Sequence, residues 1–189
     1  MRRLLDVTGG SEEVGRRDRV LESALQTFAR HGYRKTSMDE VARQAKISRP
    51  GLYFLFSSKQ ELFRAAATRA LEQDLAAAER SLGSSARPLR RRIVDAFDHW
   101  AGRYVGPARD VEGVVDDNPD LLGEIVHTAP ARFRQLIVDT LTPATGARAA
   151  LDIAQTLVST SLGLKREVDS RDAYVRRLTV AVGLLVPER

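Results

Sequence analysis

The chain has 189 residues, 43% of them hydrophobic and 29% charged, a balance that excludes disordered and collagen-like classes and suits one domain, or one small and one medium. With no cysteine and histidines only at positions 31, 99 and 127, it excludes disulfides, thiol chemistry and histidine-rich or cysteine-based metal sites, and no metal or cofactor is expected. The net charge of +5 lies wholly in residues 1–65, where 13 Lys and Arg meet 8 Asp and Glu, because residues 66–189 hold 17 of each.

The start, Met1 to Gly10, has two arginines and a leucine pair broken by Asp6, so it reads as no signal peptide, and no apolar stretch is long enough to span a membrane. A cytoplasmic protein with no membrane partner is expected. Residues 1–14 read as a flexible arm, whose Arg2 and Arg3 either enter a minor groove or form an unstructured tail. Val20, Leu21, Ala24, Leu25 and Phe28 then make the stripe of a first helix from Gly15 to His31, closed by Gly32 at the left-handed cap position. Ser37-Met38-Asp39-Glu40 is a capping box that opens a short helix ending near Ala45. Ser48 caps a third, over Arg49 to Phe56, with Pro50 in its first turn, where a missing amide hydrogen does no harm. Ser58-Lys59-Gln60-Glu61 is a second capping box, opening a long alanine-rich helix to about Leu82.

Gly83-Ser84-Ser85 breaks the pattern and Pro88 starts a fifth helix carrying Ile93, Phe97, Trp100, Ala101 and Tyr104, which stops before Gly106-Pro107. The acidic stretch from Asp110 to Leu122, interrupted by Gly113, Asn118 and Pro119, reads as a kinked helix or two short ones. Helices follow at Pro130 to Leu141, Ala147 to Lys165 and Arg171 to Val186. Strand-like alternation is absent over any useful length, so the fold class is all-α.

Two short helices joined tightly at Lys46-Ile47 beside an amphipathic first helix are the parts of a helix-turn-helix. They lie inside the basic segment Arg30 to Arg64, where eight Lys and Arg meet three acidic residues, which favours a polyanion as partner. The second of the two has to be short and capped, since its first residues reach base edges while nearby hydroxyls, amides and cations hold phosphates. Arg49, at the exposed start, can donate a bidentate pair to guanine.

The run GYRKTSMDEVARQAKISRPGLYFLFSSKQEL, Gly32 to Leu62, resembles the DNA-binding signature of the TetR family of bacterial transcriptional regulators, with Gly32 ending helix one, Thr36 and Ser37 opening helix two, and Leu52-Tyr53-x-x-Phe56 followed by Lys59 closing the module. The likeness runs from about Gly15 to Phe63. It implies a three-helix DNA-binding domain over 15–63, a helical effector-binding and dimerisation domain over 64–189, and a homodimeric repressor that a small molecule releases from a palindromic duplex operator. By that pattern Thr36, Ser37, Tyr53 and Lys59 touch phosphates, with Ser48 at the cap, and Arg49, Pro50 and Gly51 face bases. Leu55 departs from the family, which often has a histidine there; it either packs inward or touches a thymine methyl.

Phe54, Phe56 and Phe63 read as core residues. Phe97, Trp100, Tyr104, His127 and Phe133 are the candidate lining of an effector pocket, in which apolar walls carry a few polar groups. Leu151, Val158 and Leu162 with Leu178, Val182 and Leu185 are candidate core or interface members of a four-helix dimer interface. The acidic cluster Asp110, Glu112, Asp116, Asp117 and Asp120 has no metal-ligand spacing and reads as an exposed turn. The alternatives to a ligand-responsive regulator are an architectural DNA-binding protein without effector and, less favoured for want of any catalytic motif, a helical enzyme.

Overall fold

The computed structural model describes residues 6–106, 113–115 and 117–188, with side chains from Gly15 onward, and every regular element among them is helical. Arg2, Arg3, Asp110, Glu112 and Asp116 lie outside the described residues; Asp117 and Asp120 are exposed. In chain order the helices are α1 (Asp6–His31), α2 (Met38–Gln44), α3 (Arg49–Leu55), α4 (Lys59–Gly83), α5 (Leu89–Trp100), a 3-10 turn (Gly102–Tyr104), α6 (Pro119–Leu122), α7 (Ile125–Thr145), α8 (Ala147–Glu167) and α9 (Arg171–Leu185). No helix of the described residues is long and apolar enough to cross a membrane.

Several boundaries differ from expectation: α5 ends at Trp100, leaving Tyr104 in the 3-10 turn, α7 runs on to Thr145 past Leu141, and two helices start early. α1 begins at Asp6, so part of the stretch expected as an arm is helical; residues 6–14 carry no apolar stripe that could have announced it. α7 begins at Ile125, which leaves Pro130 inside the helix rather than in its first turn. There the carbonyl of Glu124 accepts from the amides of His127 (3.1 Å) and Thr128 (3.0 Å). Pro130 lies beyond the orphan amides of the first turn, so it leaves the Val126 carbonyl without its helical donor and its ring crowds that carbonyl.

The chain divides into two units, Met1–Ala70 with Asp110–Gly123, and Leu71–Arg109 with Glu124–Arg189, so the division falls in α4 beyond the expected Phe63, and Asp110–Gly123 groups with the first unit rather than with the 64–189 domain expected for it. In the first, Val20, Ala24 and Phe28 of α1, Val41 and Ala42 of α2, Leu52 and Phe56 about α3, and Leu62 and Phe63 of α4 are all buried. Phe28 and Phe63 meet edge to face at 5.2 Å, with Tyr33 5.0 Å from Phe63. Gly32 closes α1 at φ +78°, where any other residue would bring its Cβ against backbone.

In the second unit Leu75, Ala78 and Leu82 of α4 join one apolar core with Ile93, Phe97, Phe133, Ile137, Leu157, Tyr174, Leu178 and Val182. Of the two alternatives for Leu178 and Val182, core or dimer interface, burial within one subunit makes them core residues. They fall four and eight residues after the buried Tyr174, on its face of α9, whereas the exposed apolar residues of that helix are Val180, Leu184 and Leu185. The Tyr174 hydroxyl is satisfied by Ser161 Oγ at 2.7 Å.

Candidate functional site

α2 and α3 owe their positions to local chemistry. Ser37 Oγ accepts from the Glu40 amide (3.2 Å) and Ser48 Oγ from the Gly51 amide (3.1 Å), each satisfying a helix-start donor. Glu40 does not complete a reciprocal box; its carboxylate lies 3.4 Å from His31 Nε2 instead. Between the helices the Ile47 amide donates to Ala42 O (3.0 Å) and the Lys46 amide to Arg43 O (3.2 Å). Lys46 sits at φ +54°, the one described residue other than glycine in the left-handed region, where its Cβ costs stability.

Within α3, Leu52 points inward, followed by Phe56 just past the helix, while Arg49, Pro50, Tyr53 and Phe54 are exposed. Spacings of one, three and four residues put those four on a single outward face. Phe54 is 82% exposed, so the expectation that it packs in the core is overturned: only one face of this short helix meets the unit, and Leu52 and Phe56 occupy it. Leu55 is half-buried, and its carbonyl accepts from Arg17 Nη1 at 3.3 Å. Arg17 also lies 4.4 Å above the Phe56 ring.

Gly51 lies near Arg16 as well. A Cβ built there would stand 3.0 Å from Ser48 Oγ and 3.2 Å from Arg16 Nη2, so glycine leaves room for both the cap and that guanidinium. Arg16 and Arg17 thus flank α3, a role that no spacing within the helix-turn-helix announces because it depends on α1 crossing beside it.

Two residues expected on phosphates have other employment. Thr36 is 2% exposed and its hydroxyl donates to Gly32 O at 2.9 Å, so it holds the α1–α2 connection rather than facing outward. The Lys59 ammonium donates to the carbonyls of Tyr33 (3.1 Å), Thr36 (3.2 Å) and Arg34 (3.5 Å) and lies 4.5 Å from the Tyr33 ring. It clamps the same connection. Ser37, Ser48 and Tyr53 stay exposed, with both serine protons free of the cap bonds their oxygens accept. At the start of α4 the Ser58 hydroxyl accepts from the Glu61 amide (3.1 Å), while Glu61 reaches back to the amide and hydroxyl of Ser57 (2.8 and 2.6 Å). Those two bonds hold the Glu61 carboxyl below its ordinary range.

Arg49 Nε stands 2.9 Å from Asp39 Oδ1 and the guanidinium lies 5.7 Å from the Tyr53 ring centre. Both partners are exposed, and Arg49 Nη1 and Nη2 have no protein partner among the described residues.

In the second unit Phe97 meets Phe133 edge to face at 5.0 Å and Trp100 stacks on Phe133 at 4.9 Å. Tyr104 does not join them, because its hydroxyl donates to Asp74, which Arg103 Nη1 also approaches at 2.5 Å. Asp74 is fully buried, and that burial pushes its carboxyl above the usual range despite both partners. The Tyr104 hydroxyl is likewise raised by burial and by the carboxylate beside it. His127 is exposed in the first turn of α7 and takes no part in these ring contacts. Phe97, Trp100 and Phe133 are therefore brought together, and His127 is not.

Residues 20–66 match the sequence model described as "Bacterial regulatory proteins, tetR family". Among curated relatives, the activator FasR of Mycolicibacterium smegmatis is 36% identical over 43% of this chain and 38% of its own length. The nicotine-responsive repressor HdnoR of Paenarthrobacter nicotinovorans is 31% identical over 47% of this chain and 45% of its own. The chain thus matches less than half the length of these relatives. Among solved structures, a TetR-like transcriptional regulator from Rhodococcus sp. RHA1 superposes with a TM-score of 0.67 at 26% identity, over 89% of this chain and 95% of that one. With the helix-turn-helix geometry on α2 and α3, residues 20–66 are a DNA-binding module of the tetR family of bacterial regulatory proteins, carried on a fold shared along nearly the whole chain with a TetR-like regulator.

Proposed function

We propose that the protein is a ligand-responsive transcriptional repressor that binds a palindromic duplex operator as a homodimer. The observation that carries this reading is the outward face of α3: Arg49, Tyr53 and Phe54 exposed together, beside the hydroxyls of Ser37 and Ser48, on a helix whose other side is anchored by Leu52. Arg49 reads guanine through its free Nη1–Nη2 edge, Phe54 and Pro50 supply apolar contact, and Ser37, Ser48 and Tyr53 hold phosphates. Gly51 permits close approach of the backbone. Arg16 and the surrounding basic residues supply the sequence-independent attraction.

Dimerisation is supported by the apolar residues that one subunit leaves uncovered on its last two helices. Leu151 and Leu162 are exposed on one face of α8, with the half-buried Val158 between them packed against the subunit's own core, and Val180, Leu184 and Leu185 are exposed on α9. Paired across a two-fold axis, such faces make a four-helix interface. The two recognition helices then enter successive major grooves about 34–36 Å apart. Phe97, Trp100 and Phe133 contribute apolar wall to an effector site in the second unit. HdnoR is described as nicotine-responsive, and a small molecule acts here by the same logic, binding a form of the dimer whose affinity for the operator is lower. Such a regulator works in the cytoplasm, where its DNA is.

The test begins with enrichment of duplexes from a randomised library, followed by anisotropy titrations against single-base variants of the enriched site. Arg49→Ala is expected to cost about 1–3 kcal/mol per half-site and to relax preference at one symmetric position. Uniform losses across the panel, or no enrichment by the native protein, would overturn the reading.

A further inference from the structure

Arg49 is a long, exposed side chain asked to meet a base edge in one orientation, and an unrestrained arginine loses much rotamer freedom when it does so. Three observations bear on how that is managed. Its Nε is 2.9 Å from Asp39 Oδ1; the Tyr53 ring lies under the guanidinium at 5.7 Å; and Nη1 and Nη2 have no protein partner among the described residues. Asp39 comes from the first turn of α2 and Tyr53 from α3 itself, so the restraint is set by the angle between the two helices. Resting on the reading of α3 as the base-reading helix, we propose that Asp39 is a positioning residue for Arg49, occupying the Nε side of the guanidinium so that the Nη1–Nη2 edge is presented to a guanine.

The chemistry suits the division of labour. Guanine offers two adjacent acceptors, O6 and N7, which match two parallel donors of a guanidinium. If Nε and one Nη were free to compete for that match, two orientations of the side chain would serve and neither would be enforced. A carboxylate ion-paired beside Nε disfavours the one that turns Nε to the base. An acidic residue on a surface facing phosphates weakens binding in general, so Asp39 trades sequence-independent affinity for discrimination.

The experiment uses the full chain and the duplex enriched by the native protein. Native, Asp39→Asn, Asp39→Glu, Arg49→Ala and Asp39→Asn/Arg49→Ala forms are titrated against single-base variants and against unrelated duplex, with melting temperatures recorded for each. Asp39→Asn, which keeps the shape and removes the charge, is expected to lower the preference for guanine at the Arg49-dependent position by about 2- to 5-fold, the worth of an exposed ion pair, while affinity for unrelated duplex holds or rises. Asp39→Glu keeps the charge and retains most of the preference. In the Arg49→Ala background Asp39→Asn changes discrimination no further, the non-additivity that marks action through Arg49. Unchanged preference in Asp39→Asn, equal losses for Asn and Glu, or a full additional loss in the Arg49→Ala background would overturn the inference. So would a loss confined to a cytosine position, which would make Asp39 a base reader in its own right. Absence of any enriched duplex would overturn the DNA-binding reading itself, and this inference with it, whereas enrichment with unchanged Asp39→Asn discrimination overturns the inference alone.

Discussion

Replacing Lys59 by alanine separates two roles that the same residue can play in a DNA-binding module. In the structure its ammonium donates to the Tyr33, Arg34 and Thr36 carbonyls and packs on the Tyr33 ring. A hydrogen bond from a charged donor contributes a net ~1.5–3 kcal/mol, and a cation over an exposed ring adds ~0.5–1 kcal/mol. One ammonium shared among three carbonyls does not supply three full bonds, so Lys59→Ala should cost about 2–3 kcal/mol. For a chain of this size that lowers Tm by about 4–12 °C. Lys59→Met, which keeps the apolar stem and loses the donors, should fall nearly as far. Operator affinity measured at several salt concentrations supplies the second readout. A lysine committed to the carbonyls leaves the slope of log K against log salt nearly unchanged, whereas a phosphate contact in each subunit would flatten it by about 2. Undiminished stability together with the flatter slope would refute the clamp.

Lys46→Gly should stabilise the protein by about 0.5–1 kcal/mol, because relief of a left-handed Cβ penalty of about 1–2 kcal/mol exceeds the extra entropy of glycine in the unfolded chain; a lower denaturation midpoint would contradict this. Leu184→Glu, at a site 82% exposed in one subunit, should change subunit stability by less than about 0.5 kcal/mol yet shift sedimentation towards monomer, while the buried Leu178→Ala should cost about 2–5 kcal/mol. Persistent dimers in the first would move the interface elsewhere. Asp74→Asn should gain stability relative to the native protein as pH rises. Burial raises the Asp74 carboxyl above its unfolded value of about 4, so the folded state holds the proton more tightly and the native form loses stability as pH climbs through the raised value. Denaturant titrations of both forms between acid and neutral pH check the sign, and a parallel pair of curves would contradict it.

What could be read from the sequence was what depends on near neighbours. Ser37, Ser48 and Ser58 cap α2, α3 and α4 because a hydroxyl reaches an amide three residues on wherever the helix starts. Gly32 ends α1 because the left-handed cap needs a residue without Cβ. The stripe from Val20 to Phe28 is buried because helical period alone puts those residues on one side. The helix-turn-helix, built from such local elements, was therefore legible, and so was the candidate reading face that begins at Arg49.

Tertiary structure decided which partner each long or ambiguous side chain found. Lys59 and Thr36 carry the polar groups expected of phosphate contacts, but whether they face DNA or the α1–α2 connection depends on how α4 and that connection lie together, about 25 residues apart along the chain. Phe54, a phenylalanine between Tyr53 and Leu55, looks like core until α3 is seen to bury only one face. Leu178 and Leu184 are the same residue type on one helix, and only packing against α5 and α8 tells the buried one from the exposed one. The pairing of Asp39 with Arg49 is likewise set by the angle between two helices. Periodicity determines which residues share a face; it carries no information about what that face meets, because burial and ion pairing are set by contacts between segments distant in sequence.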